Sequence, residues 1–252
     1  MPFAQRVWSL VGITVIAIAA TLFVPAIPQD PAYHLFADAR PFLGIPNFGN
    51  VASNVAFTLV GFFGLMVLYG QTPGSAGVTL SATLPYAIFF AGVALIGAGS
   101  AYYHWAPTNA TLFWDRFPMT IAFMGLFVAL LSENVDRRLA RVLLVPALAF
   151  GLASVLYWYW ADDLRLYYSA QLVPLLTIPA VLALFVGRQT HRWLLGAGLG
   201  WYVLAKTTEY YDEAVYQLSG ENLSGHSLKH LLAAVGCYCL LAMIEQRRPI
   251  SS

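Results

Sequence analysis

Charge is what this chain has least of. Only 10% of its 252 residues are Asp, Glu, Lys or Arg, whereas a soluble domain carries about 25%. With 59% hydrophobic residues, that shortage excludes an ordinary water-soluble domain and points to an integral membrane protein. The formal net charge is +1 and no basic run occurs, so nothing suggests a nucleic-acid partner. Cysteine is nearly absent. Cys237 and Cys239 lie two apart on one predicted helix, which points them to different faces. They read as small packing residues, not as a redox pair or metal ligands. No internal repeat or low-complexity tract stands out, so one compact bundle is the simplest reading.

What the chain has is helix-length apolar sequence. Crossing hydrocarbon takes roughly 20 mostly apolar residues. Eight segments meet that need: Trp8–Ala26, Asn50–Tyr69, Ala82–His104, Leu112–Ser132, Leu139–Trp160, Tyr167–Val186, His191–Tyr211 and His226–Glu245. The expected fold is all-α, a polytopic membrane helix bundle with seven core transmembrane helices plus one extra helix at the amino end. Residues 1–26 form the extra helix or signal anchor, and residues 27–252 the seven-helix domain. Arg6 would be the charged end of a signal peptide, but the apolar run is long and Pro25 and Pro28 make a poor cleavage site.

Loop arginines set the expected orientation. With eight spans, Arg6, Arg137, Arg138, Arg141, Arg188, Arg192, Arg247 and Arg248 share a side, against Arg40 and Arg165 on the other. The positive-inside rule puts both termini in the cytoplasm. Trp158 and Trp160 then fall at the outer end of the fifth span, where an interfacial aromatic belt belongs. On this map Ser100 and His104 end the third span on the outer side, Asp115 opens the fourth there, and His226 and His230 open the last. Asn50, Ser53 and Asn54 start the second span, and Glu209 and Asp212 end the seventh, in the same leaflet.

Ionisable groups in membrane segments call for a functional reason. His226 and His230 are four apart, one turn apart on one helix face. A third imidazole from His104 would complete a three-histidine set, which is how catalytic zinc is commonly held, with the fourth position left to water. Each residue also has a plain structural reading. His104 can bond a backbone carbonyl, the pair can be a wetted helix start, Ser100 can bond back to its own helix, and Asp115 can cap its helix or pair with Arg116. His34 reads as a loop residue and His191 as a cytoplasmic helix end. Lys229, between the paired histidines, should point elsewhere and meet an acid such as Glu209 or Asp212.

Four short pieces in order carry a resemblance. A serine stands four before a histidine (Ser100, His104), an aspartate eleven after it (Asp115), and an HxxxH in the last helix (His226, His230). With Asn50-Val51-Ala52-Ser53-Asn54 at the start of the first core helix, these resemble the alkaline ceramidase family. That family lies within the superfamily that includes the adiponectin-receptor-like membrane hydrolases. Gly44-Ile45-Pro46-Asn47-Phe48 and Trp114-Asp115-Arg116-Phe117-Pro118-Met119 look like its bacterial branch. The resemblance covers roughly Asn47 to Glu245 and implies a zinc-dependent hydrolase cleaving the N-acyl bond of ceramide or a related lipid amide. Its products would be a fatty acid and a sphingoid-type base. By matching position, His104, His226 and His230 would be the metal ligands, Asp115 would handle the proton of the water, and Ser100 would contact that water or the oxyanion. The acidic calcium-binding stretch of eukaryotic members is not found. Asn47 stands at the place of its last acid and only Asp30 and Asp38 remain nearby, so the resemblance implies zinc and leaves calcium open. The implied partners are a lipid amide from the bilayer and membrane lipids. The implied place is a bacterial inner membrane, with the site toward the periplasmic leaflet. Two other classes fit the same histidines: a metal-containing receptor or sensor without rapid hydrolysis, and a haem-binding membrane protein.

Overall fold

The computed structural model describes residues 1–70, 80–185 and 191–246. Val186, Arg188, Arg247 and Arg248 of the expected segments and arginine pattern lie outside the described residues. The helices are α1 (Phe3–Phe23), α2 (Phe48–Ala52), α3 (Val55–Gly70), α4 (Leu80–Trp105), α5 (Asn109–Asn134), α6 (Leu139–Ala161), α7 (Arg165–Leu184), α8 (Trp193–Tyr210), α9 (Asp212–Leu218) and α10 (Gly225–Gln246), with a short 3-10 turn at Pro31–His34. The fold is an all-α bundle, with no strand among the described residues.

Seven helical stretches among the described residues are long and apolar enough to cross a membrane: α1, α2 with α3, α4, α5, α6, α7 and α10. The seventh expected span, His191–Tyr211, is a helix too, α8, but it falls short on apolarity. Its last turns carry Lys206, Thr207, Thr208 and Glu209. The second expected span is broken. Ser53 Oγ and Asn54 Nδ2 both donate to the Asn50 carbonyl, at 3.1 and 2.7 Å. Short polar side chains that bond the backbone in this way compete with regular helix, and α2 and α3 meet at a turn there.

The main core joins α3, α4, α5, α8 and α10 through residues such as Phe57, Tyr86, Phe90, Leu126, Leu130 and Leu240. Small residues set its spacing, as is usual where apolar helices pack without a hydrophobic drive between them. At Gly99 an added Cβ would lie 2.1 Å from the Trp114 carbonyl oxygen, so glycine is what lets α4 and α5 approach. A second cluster, Tyr103, Leu112, Val155, Trp158, Leu164 and Tyr167, receives Ile27, Tyr33 and Phe36 from the segment between α1 and α2. A third docks α1 on α7 through Leu10, Val181 and Phe185, with Thr21 and Ser169 joined by a hydrogen bond.

The loop segment is fixed at both ends. Leu164 N donates to the Ile27 carbonyl at 2.8 Å, and Gln29 N donates to Asp162 at 2.9 Å. Ala37 N donates to Asp212 at 3.0 Å. Arg40 forks onto Asp38 and Arg165 onto Asp163. These guanidinium hydrogen bonds hold the Asp38 carboxyl below its usual range and the Asp163 carboxyl at about 2.

Candidate metal centre

α4, α5 and α10 build the centre, each by a local device. α4 ends at Trp105, shortly before Pro107, so His104 lies in its last turn. α5 starts on a reciprocal cap, in which the Thr108 hydroxyl accepts from Thr111 N and the Thr111 hydroxyl from Thr108 N. Asp115 is therefore not the helix cap. It sits further along α5, buried, with the Ser100 hydroxyl placed to donate to it. Arg116 does not pair with it either: its Nη2 donates to Gln29 Oε1 at 2.6 Å. α10 starts where Ser224 Oγ accepts from Ser227 N at 3.0 Å and Asp212 Oδ1 accepts from His226 N at 2.7 Å. Two of the orphan amides of that helix end are thereby satisfied. Gly225 is needed at this start, since a Cβ there would lie 2.1 Å from the Thr208 carbonyl oxygen.

These starts and ends bring His104, His226 and His230 together. Their ring centroids are 4.8, 4.9 and 5.1 Å apart. One ring nitrogen from each lies within 4.8 Å of the other two. All three are buried, His104 completely. His230 Nδ1 is 2.8 Å from Ser53 Oγ, a contact that fixes the ring and leaves Nε2 free. His226 Nε2 is 3.0 Å from Lys229 Nζ. Neither ring nitrogen of His104 has a hydrogen-bond partner. A buried imidazole with both nitrogens unanswered is costly, and two more imidazoles converging on it make the donor set of a cation site. The three side chains are placed to hold a metal ion.

The sequence marks only part of the surroundings. Lys229 does meet Glu209, at 2.8 Å, but it does not point away from the histidines, since its Nζ also reaches His226 Nε2; Glu209 also pairs with Lys206. Asp212 does not take Lys229 but binds the backbone of His226 and Ala37. Phe36 packs on His104 and His226 with centroids 4.8 and 4.9 Å away. No periodicity marks Phe36 in the sequence. Burial first, and the Glu209 carboxylate next, hold the Tyr33 phenol well above its usual range. His34 is a loop residue as expected, bonded to Tyr103 and Asn109 at 3.0 Å each. Trp160 is 76% exposed. Trp158 is not: it is 1% exposed, and the Arg116 guanidinium lies 4.1 Å from its ring.

Below the centre runs a cavity of about 190 Å³. Ser100, Asp115 and His230 line one end, and Phe89, Leu126 and Leu240 the apolar remainder. A groove between α7 and α8 shares Leu175, Leu199, Tyr202 and Lys206 with it.

Fold and site together define a class: a membrane-type helix bundle with three imidazoles converging at one end, an acid and a hydroxyl beside them, and an apolar cavity beneath. The sequence model of the Ceramidase family matches residues 44–251, and the chain belongs to that family. No curated protein matches it.

Proposed function

We propose that the protein is a zinc-dependent hydrolase that cleaves the N-acyl bond of ceramide or a related lipid amide. The observation that carries this is the convergence of His104, His226 and His230, with the ring nitrogens of His104 unpartnered. Family membership supports an amide substrate. The donor set suits zinc, which three imidazoles hold with one position left open. Zinc, when bound, supplies Lewis-acid polarisation and an activated water.

The protein's own groups do the rest. Asp115, buried beside Ser100, takes a proton from the attacking water and returns it to the leaving amine. The Ser100 hydroxyl donates to the oxygen on which charge develops. The apolar cavity receives the acyl chain. The groove between α7 and α8 supports sideways arrival from the bilayer. Phe36 and Tyr33 shield the centre from the other side. Ser53 is a positioning residue, acting through His230.

The proposed setting is a bacterial inner membrane, with α1 as an addition to a seven-helix domain. Arg6, Arg137, Arg138, Arg141 and Arg192 flank the helix ends remote from the histidines. This supports cytoplasmic termini and a site toward the periplasmic leaflet. Three rings around one point suit an ion better than a porphyrin.

The test is metal content of the purified protein, together with release of fatty acid from ceramide. About one zinc per chain and chelator-sensitive release are expected. Stoichiometric zinc without turnover of any lipid amide would favour a receptor or sensor. No bound metal, or a Soret band, would overturn the reading.

A further inference from the structure

Arg116 has no ion-pair partner among the described residues. It is 4% exposed. Three rings surround its guanidinium, with Trp158, Tyr167 and Tyr33 centroids at 4.1, 4.9 and 5.6 Å. Its one hydrogen bond goes to a neutral amide, Gln29, and Nη1 has no partner at all. Ring faces and one amide offset part of the cost of burying a cation. An unanswered N–H in such a place remains unfavourable.

Arg116 lines the same cavity as Ser100, Asp115 and His230. The other charged residues of that wall are Lys206, Glu209 and Lys229. Glu209 alone answers both lysines, and Asp115 faces Ser100. Lys206 is half exposed, so the buried wall sets Arg116 and Lys229 against Asp115 and Glu209, with Arg116 the cation that no acid among the described residues pairs with, and a divalent ion at the histidines would tip the cavity positive. A neutral lipid amide brings nothing to balance it.

We propose that the lipid amide cleaved here carries an anionic head of the N-acyl amino acid type, and that Arg116 is the specificity-determining residue for its carboxylate. This rests on the hydrolase reading for the chemistry but not for the binding. Water adds across the amide: the acyl C–N bond breaks, a C–O bond forms, both protons of the water pass to the amine, and a fatty carboxylate and an amino acid with an ammonium group leave.

The experiment compares N-palmitoylglycine with N-palmitoylethanolamine, a neutral amide of equal chain length, on the full-length zinc-loaded protein. The kcat/KM ratio should favour the glycine amide about tenfold or more, the scale of one charge-assisted hydrogen bond. Arg116→Gln should bring the ratio toward one. A wild-type ratio near one, or a ratio unchanged in folded Arg116→Gln, overturns the proposal. The wild-type comparison decides even if the variant does not fold. Binding is read separately, as thermal stabilisation of metal-free protein by each amide and by palmitate. Selective stabilisation by N-palmitoylglycine supports the site even if neither amide is cleaved, in which case only the hydrolase reading fails. Equal stabilisation by palmitate assigns the guanidinium to the acid product and overturns the proposal.

Discussion

α1 and α5 are both long enough to cross a bilayer, and they make opposite use of their residues. α1 is the more apolar of the two, yet buries only Leu10 and Ala17. α5 buries fifteen residues, among them Asp115, Arg116, Thr111, Thr120 and Ser132. In water the greasier helix would be the one inside. In lipid, apolar side chains gain nothing by leaving the surface, and the interior collects the groups that need partners. α1 turns its apolar side chains outward; α5 gathers polar groups inside.

Breaking the centre that α5 helps to build should cost most. His104→Ala is expected to lose both bound metal and turnover, read by metal analysis and product release; full metal content would refute the ligand role. Asp115→Asn should keep the metal and lower turnover by about 10²–10⁴-fold, the usual worth of a placed acid–base group. A fully active variant would remove that role. Ser53→Ala should weaken metal affinity by about 10–100-fold, as loss of a ligand's supporting hydrogen bond typically does. Chelator competition measures it. Leu130→Ala, at a fully buried α5 site, should cost about 2–5 kcal/mol of stability. Ile16→Ala in α1, 69% exposed, should change it by under about 0.5 kcal/mol. Thermal unfolding in one detergent compares the two, and equal losses would contradict the contrast.

The smallest effect concerns the junction that ties α1 to α7. Asp163 is held at about 2 by Arg165, below the ordinary carboxylate range near 4. Its contribution is complete above about pH 4 and disappears as the pH falls through about 2. Amide exchange around Ile27 and Leu164 should accelerate over that window. Asp163→Asn should remove the pH dependence.

The sequence made α5 legible because Asp115 is an acid inside an apolar run, a conflict visible without coordinates. His226 and His230 were legible by their spacing, and His104 by its place at a matching depth. Other contacts carried no such mark. Phe36 and Gln29 come from a segment with no period, and both meet residues far along the chain. The break after Ala52 depends on how Ser53 and Asn54 bond Asn50, which composition does not reveal. Trp158 looked like a belt residue because tryptophan favours interfaces, but the buried guanidinium of Arg116 claimed its ring instead.

Gly99 lies one residue from Ser100, and the Trp114 carbonyl beside it lies one residue from Asp115. A single methyl at that crossing would act as a wedge, prising hydroxyl from carboxyl while leaving every reacting atom in the molecule. That close crossing works as a ruler for the spacing of hydroxyl and carboxyl, and Gly99→Ala would upset it from behind with the smallest side chain there is.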